Sequence, residues 1–177
     1  AEPGKEFTSV TYSNVYFREP ESRADQTRMM SIVTTGSETG YYVDVFRSRK
    51  ERGGDKMHDY FYHNLGQTMT LTAADGTDLN LQPTEELAFA GAHLYGYSYL
   101  YDKKVAATGK DVKATFTIDM KDKGGDDIVM NLWMKGEPDR EVFTALSPMT
   151  EGLSRTPGMP YNIKEQPTLT FVARQHG

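Results

Sequence analysis

The chain of 177 residues contains no cysteine and a single tryptophan. Without cysteine there is no disulfide, no thiol nucleophile and none of the usual zinc-ligand spacings, while the compartment stays open because exported proteins also do without it. Long apolar runs are missing too: nothing approaches the roughly 20 consecutive apolar residues of a membrane span. The opening stretch Ala1-Glu2-Pro3-Gly4-Lys5-Glu6 has no apolar signal core, so any export signal is expected to lie outside these residues. Positive charge is not in excess either, with 20 Lys and Arg against 25 Asp and Glu and a net charge of −5. A general binder of phosphate backbones carries a basic face, so no nucleic acid is expected as a partner. Helical periodicity is almost absent. Portable enzyme signatures are absent as well: no Gly-x-Ser-x-Gly elbow, phosphate loop, dinucleotide fingerprint or His-Glu-x-x-His occurs.

What remains is a succession of short runs rich in Val, Thr, Tyr and Phe, broken about every ten residues by Gly, Asp, Asn and Pro. That pattern predicts an all-β fold, an antiparallel β-sandwich of about ten or more strands with at most one short helix, in a single domain over residues 1–177. The expected strands are Phe7 to Phe17, Thr27 to Thr34, Tyr41 to Ser48, Met57 to His63 and Thr68 to Ala73. Five more follow at His93 to Tyr101, Lys113 to Met120, Asp127 to Met134, Glu141 to Leu146 and Thr168 to Arg174. Turn chemistry separates them at Thr35-Gly36-Ser37, Arg52-Gly53-Gly54-Asp55, Asp75-Gly76-Thr77-Asp78 and Lys123-Gly124-Gly125-Asp126. Only Thr84-Glu85-Glu86-Leu87-Ala88-Phe89-Ala90, after Pro83, has the cap and the early acids of a helical turn. Four prolines between Ser147 and Pro167 predict a long surface loop.

Two constellations could carry chemistry. In Met57-His58-Asp59-Tyr60-Phe61-Tyr62-His63, strand alternation puts His58, Tyr60 and Tyr62 on one face and Asp59, Phe61 and His63 on the other. Two histidines pointing opposite ways do not share a metal, so no metal site is expected. Arg47, His58 and Tyr60 could hold an anionic or hydroxyl-rich ligand, the guanidinium as a fork on a carboxylate or sulfate and His and Tyr through hydrogen bonds or proton transfer. The alternative is that these polar groups satisfy one another within the sheet. The second constellation is His93-Leu94-Tyr95-Gly96-Tyr97-Ser98-Tyr99-Leu100-Tyr101. On a strand, Tyr95, Tyr97, Tyr99 and Tyr101 line one face, either as a sugar-stacking surface or as a cover for a second sheet or neighbouring domain. Asp119, Asp122, Asp126 and Asp127 read as a solvated hairpin tip rather than a calcium loop. Trp133 reads as core or sheet-face packing rather than a ligand platform.

Tyr41-Tyr42-Val43-Asp44-Val45-Phe46-Arg47, Gly53-Gly54, His58-Asp59-Tyr60 and His63 together resemble the β-sheet portion of the heparinase II/III-like polysaccharide lyases. The likeness continues through Tyr97-Ser98-Tyr99-Leu100, Val112-Lys113-Ala114-Thr115-Phe116, Leu132-Trp133, Ser147-Pro148 and Pro167-Thr168-Leu169-Thr170-Phe171-Val172-Ala173-Arg174, covering most of residues 10–177. The resemblance implies a secreted or periplasmic bacterial enzyme that cleaves uronic-acid polysaccharides, such as heparan sulfate (a glycosaminoglycan) or alginate, by β-elimination. A base removes the C5 proton beside the carboxylate, the leaving oxygen is protonated, and an unsaturated uronate results. In that family the main catalytic Tyr, His and Asn come from a helical toroid, and a His-x-His stretch contributes to a metal site. Neither has a counterpart here, so no catalytic residue, metal or cofactor is carried over. The expectation is the C-terminal β-sandwich of such a lyase, structural and substrate-flanking, ending at Arg174-Gln175-His176-Gly177 as a piece of a longer chain. Its partner is an acidic polysaccharide or the missing N-terminal lyase domain. The alternatives are a free-standing carbohydrate-binding module built on Arg47, Arg49, His58, Tyr60, His63, Tyr95, Tyr97 and Tyr99, or a purely structural β-domain that docks on a partner.

Overall fold

A computed structural model describes residues 9–20, 22–88, 91–150, 157–159 and 165–177. Its strands are β1 (Val10–Arg18), β2 (Asp25–Thr34), β3 (Gly40–Arg49), β4 (Met57–Asn64), β5 (Thr68–Ala73), β6 (Gln82–Pro83), β7 (Tyr101–Ala107), β8 (Val112–Ile118), β9 (Ile128–Met134), β10 (Glu141–Ser147) and β11 (Thr168–His176). They form three antiparallel sheets, so the all-β architecture follows the alternation of the sequence. Turn glycines supply the reversals: Gly53, Gly54, Gly76 and Gly124 adopt φ of 107°, 71°, 86° and 67°, where a side chain would be strained. No helix among the described residues is long and apolar enough to cross a membrane.

Contacts divide the chain into two compact units, residues 1–58 with Gly177, and residues 59–176. The first unit is a sheet of order β1-β2-β3. One of its faces carries Val15, Phe17, Met30 and Ile32, which are 58%, 52%, 50% and 48% exposed, crossed by a bidentate Arg28–Asp44 pair.

The second unit packs a five-stranded sheet, ordered β4-β11-β10-β7-β6, against a three-stranded sheet ordered β5-β8-β9. Every second residue points between them. Leu71, Val112, Ala114, Phe116, Val142, Leu169, Phe171 and Ala173 make the buried core, with Tyr60, Tyr62, Leu132 and Met134 packed against it. This is a β-sandwich, and its apolar face is set by period-two patterning. The other residues of the short sheet face outward: Thr68, Thr70 and Thr72 on β5, Lys113, Thr115 and Thr117 on β8, and Val129, Asn131 and Trp133 on β9. Trp133 therefore lies on the sheet face and not in the core, 59% exposed.

The five-stranded sheet is covered on its far side too. Leu87, Leu100, Phe143, Ala145 and Val172 form a second buried cluster there, joined by Phe61, Tyr97 and Val105. What covers it differs from the sequence expectation. Residues Ala92–Tyr99 form a 3-10 helix, not a strand from His93 to Tyr101, and β7 begins only at Tyr101. With about three residues per turn, tyrosines two apart fall on three different sides of the helix instead of one. Conversely, the helical turn expected over Thr84 to Ala90 is irregular as far as Ala88, its last two residues lying outside the described set. Leu87 reaches the cluster from a left-handed backbone, φ 53°. Much of the loop expected from Ser147 to Pro167 also lies outside the described residues. At the Asp-rich tip, Lys121–Lys123 is a short 3-10 turn whose Lys121 amide donates to Asp119 at 2.9 Å.

Candidate functional site

The alternation of β4 brings Asp59, Phe61 and His63 to the side of the sheet that the 3-10 helix covers, as the pattern implied. Each finds a different kind of partner. Asp59 receives two bonds from the Arg174 guanidinium, Nε to Oδ1 at 2.8 Å and Nη2 to Oδ2 at 2.9 Å, with both side chains nearly sealed from water. Arg174 also donates to Glu86 at 3.1 Å and lies 5.2 Å from the centre of the Phe143 ring. Hydrogen bonding to Asp59 holds the guanidinium firmly charged, above the ordinary arginine range. The hydroxyl of Tyr97 donates to the same carboxylate at 2.7 Å. Burial, and then the bond to Asp59, push the Tyr97 phenol well above its ordinary value, so the ring stays neutral.

Phe61 meets Tyr97 edge-on, ring centres 5.3 Å apart, and stacks on His63 at 6.0 Å. His63 places Nδ1 2.9 Å from the Thr170 hydroxyl, which lies 2.6 Å from that of Ser147. Thr170 is fully buried, and a hydroxyl can serve both partners because it donates one bond and accepts others. Burial lowers the His63 pKa, so near neutral pH the ring is an uncharged hydrogen-bonding group with Nε2 as the nitrogen left to meet a ligand.

His63, Tyr97 and Ser147 open onto a cleft of about 390 Å³, lined also by Phe61, Gly96, Tyr99, Leu100 and Pro148. Its walls are largely aromatic, with an imidazole and a serine hydroxyl at the rim. That chemistry suits a ligand that offers both an apolar ring face and hydroxyl groups.

Of the residues singled out in the sequence, His63, Tyr97 and Tyr99 come together in this cleft. Tyr99 is 57% exposed, whereas Tyr97 is packed and hydrogen-bonded. Tyr95 is 60% exposed and is not part of the cleft lining. Tyr60 packs against the sandwich core. Arg47, Arg49 and His58 belong to the first unit, where the arginines are exposed on β3 and His58 Nδ1 lies 2.8 Å from the Ser48 hydroxyl. Because successive residues of a strand alternate, Ser48 lies on the opposite face of β3 from both arginines, and the three are not one anion fork. Sequence reasoning missed Arg174 and Glu86 as partners of Asp59. Arg174, continuing the strand directly after the mostly apolar run Leu169-Thr170-Phe171-Val172-Ala173, was the available signal, since a charge buried there demands a partner.

Comparison with characterised proteins relates the chain to a region of a polysaccharide lyase. The relative is an endo-acting ulvan lyase of Formosa agariphila, 31% identical over 170 residues. The match takes in 94% of this chain but only 19% of that enzyme, so the chain spans about a fifth of its relative's length. Neither a protein-family model nor a solved structure matches the chain.

Proposed function

We propose that this chain is a β-sheet region of a polysaccharide lyase of the heparinase II/III-like type, one that braces the enzyme and flanks its substrate rather than performing the elimination. The observation that carries the reading is the likeness of nearly the whole chain to a fifth of an ulvan lyase. The structure supports a flanking role through a cleft whose exposed members, Tyr99 and His63, can stack on a sugar ring and bond its hydroxyls. The neighbouring charged pair is already satisfied internally, because Asp59 takes its bonds from Arg174 and from the cleft residue Tyr97. The parent activity is β-elimination from a uronic-acid glycan such as ulvan, heparan sulfate or alginate. A polymer of that size is met outside the cytoplasm, so the proposal carries a secreted or periplasmic location with it.

A free-standing carbohydrate-binding module is the second reading, favoured by the exposure of Tyr95 and Tyr99 at 60% and 57%. Both readings are tested by calorimetric titration of the chain with ulvan, heparan sulfate and alginate oligosaccharides, the same mixtures being followed by ultraviolet absorbance. Binding that Tyr99→Ala weakens, at unchanged melting temperature and without absorbance, is the expected result. Absence of binding to all three would overturn glycan contact, and a rising unsaturated-uronate signal would overturn the non-catalytic role.

A further inference from the structure

The outward face of the β5-β8-β9 sheet differs in kind from the cleft. Its nine outward residues include five threonines, one lysine and the chain's single tryptophan, and no acid, in a chain whose net charge is −5. Register aligns them in rows across the three strands. Trp133 stands opposite Lys113, which stands opposite Thr72, and in the next row Asn131 stands opposite Thr115 and Thr115 opposite Thr70. With strands about 4.8 Å apart and outward residues about 6.7 Å apart along each, the face measures about 10 Å by 13 Å, room for a short oligosaccharide to lie flat.

Each part of the surface has a chemical use. An indole 59% exposed on a sheet face keeps most of its surface open to water, and it offers the broad apolar plane on which the C–H face of a sugar stacks. Thr115 donates its hydroxyl to Asn131 Oδ1 at 2.8 Å, which orients that amide and leaves its N–H groups as donors. Lys113, beside Trp133, is a cation with no acid among its outward neighbours on the sheet. Inward, Val112, Ala114 and Phe116 anchor β8 in the core, so the platform is rigid before a ligand arrives.

We propose that this face is a second glycan platform, in which Trp133 stacks on a ring of an acidic polysaccharide while Lys113 meets a carboxylate or sulfate of the same chain. The proposal rests on the lyase-associated reading above and adds a second contact point, on the outer face of the three-stranded sheet and so on the opposite side of the sandwich from the cleft.

Because Trp133 is the chain's one indole, its fluorescence reports on the platform alone. The test is a titration with ulvan oligosaccharides that follows acrylamide quenching of Trp133 alongside calorimetric binding. Expected are shielding of Trp133 on binding, about tenfold weaker binding of short oligosaccharides in Trp133→Ala with partial recovery in Trp133→Phe, and a shallower salt dependence in Lys113→Gln. Heat of binding with Trp133 still fully quenchable would overturn the platform while leaving the cleft reading intact. Shielding of Trp133 with Tyr99→Ala binding unchanged would overturn the cleft and uphold the platform. No binding in either measurement would overturn both.

Discussion

Arg174 and Asp59, 115 residues apart in sequence, face each other as a two-bond ion pair with side-chain exposures of 9% and 8%. A pair so sealed is costly to break from one side, because the survivor keeps its charge without its partner. Asp59→Ala is expected to lose about 3 kcal/mol, whereas Glu86→Ala, whose carboxylate is 47% exposed, loses under about 1 kcal/mol. Replacing both members, Asp59→Ala with Arg174→Met, should recover part of the loss. Urea unfolding of the three variants checks this ordering.

Tyr97→Phe removes only a hydroxyl while keeping the edge-on ring contact with Phe61. The expected cost is about 1–2 kcal/mol, since Asp59 retains both guanidinium bonds. The wild-type phenol adds a pH effect of definite sign. Its folded pKa lies above the unfolded value of about 10, so the folded state keeps a proton the unfolded state gives up, and stability is lost as pH rises beyond about 10. Unfolding midpoints in the alkaline range should fall more steeply for the wild type than for Tyr97→Phe.

His63 works in the opposite direction. Burial depresses its folded pKa, so its contribution is complete above the unfolded value of about 6.5 and is lost as pH falls toward the folded value. Urea midpoints taken from about pH 7.5 to about pH 5 should decline for the wild type, and the decline should be smaller in His63→Gln.

The bare face of the β1-β2-β3 sheet contrasts with the sandwich. Ile32→Thr, at a position 48% exposed, is expected to change stability by less than about 0.5 kcal/mol while raising solubility. Phe116→Ala, at a position 1% exposed, is expected to cost about 3–5 kcal/mol. Chemical denaturation and light scattering of the two variants separate these effects.

Several strands were legible from alternation and the turn residues that bound it: Thr68 to Ala73 has the expected bounds, and β3, β4 and β9 shift by only a residue at their ends. The tyrosine segment misled because a period of two is the mark of a strand, yet here the chain enters a 3-10 helix after Gly91, at φ 107°, and among its described tyrosines Tyr97 joins the cluster, with Leu100 just past the helix. The partners of Asp59 were hidden for a different reason. Arg174 reaches it only because β11 lies beside β4 in the sheet, and Glu86 comes from an irregular segment with no period to read. His63 could be placed on its face, but the Thr170 and Ser147 hydroxyls beside it come from strands joined only by tertiary pairing.

The neighbour order β4-β11-β10 also sets a schedule for synthesis. β4 is made about a hundred residues before the strand that lies next to it, so while the ribosome works through the intervening chain its Tyr60 and Tyr62 have no closed core to enter. The five-stranded sheet closes only when β11 emerges, and a polypeptide cut short before Thr168 would be left holding an open seam between β4 and β10.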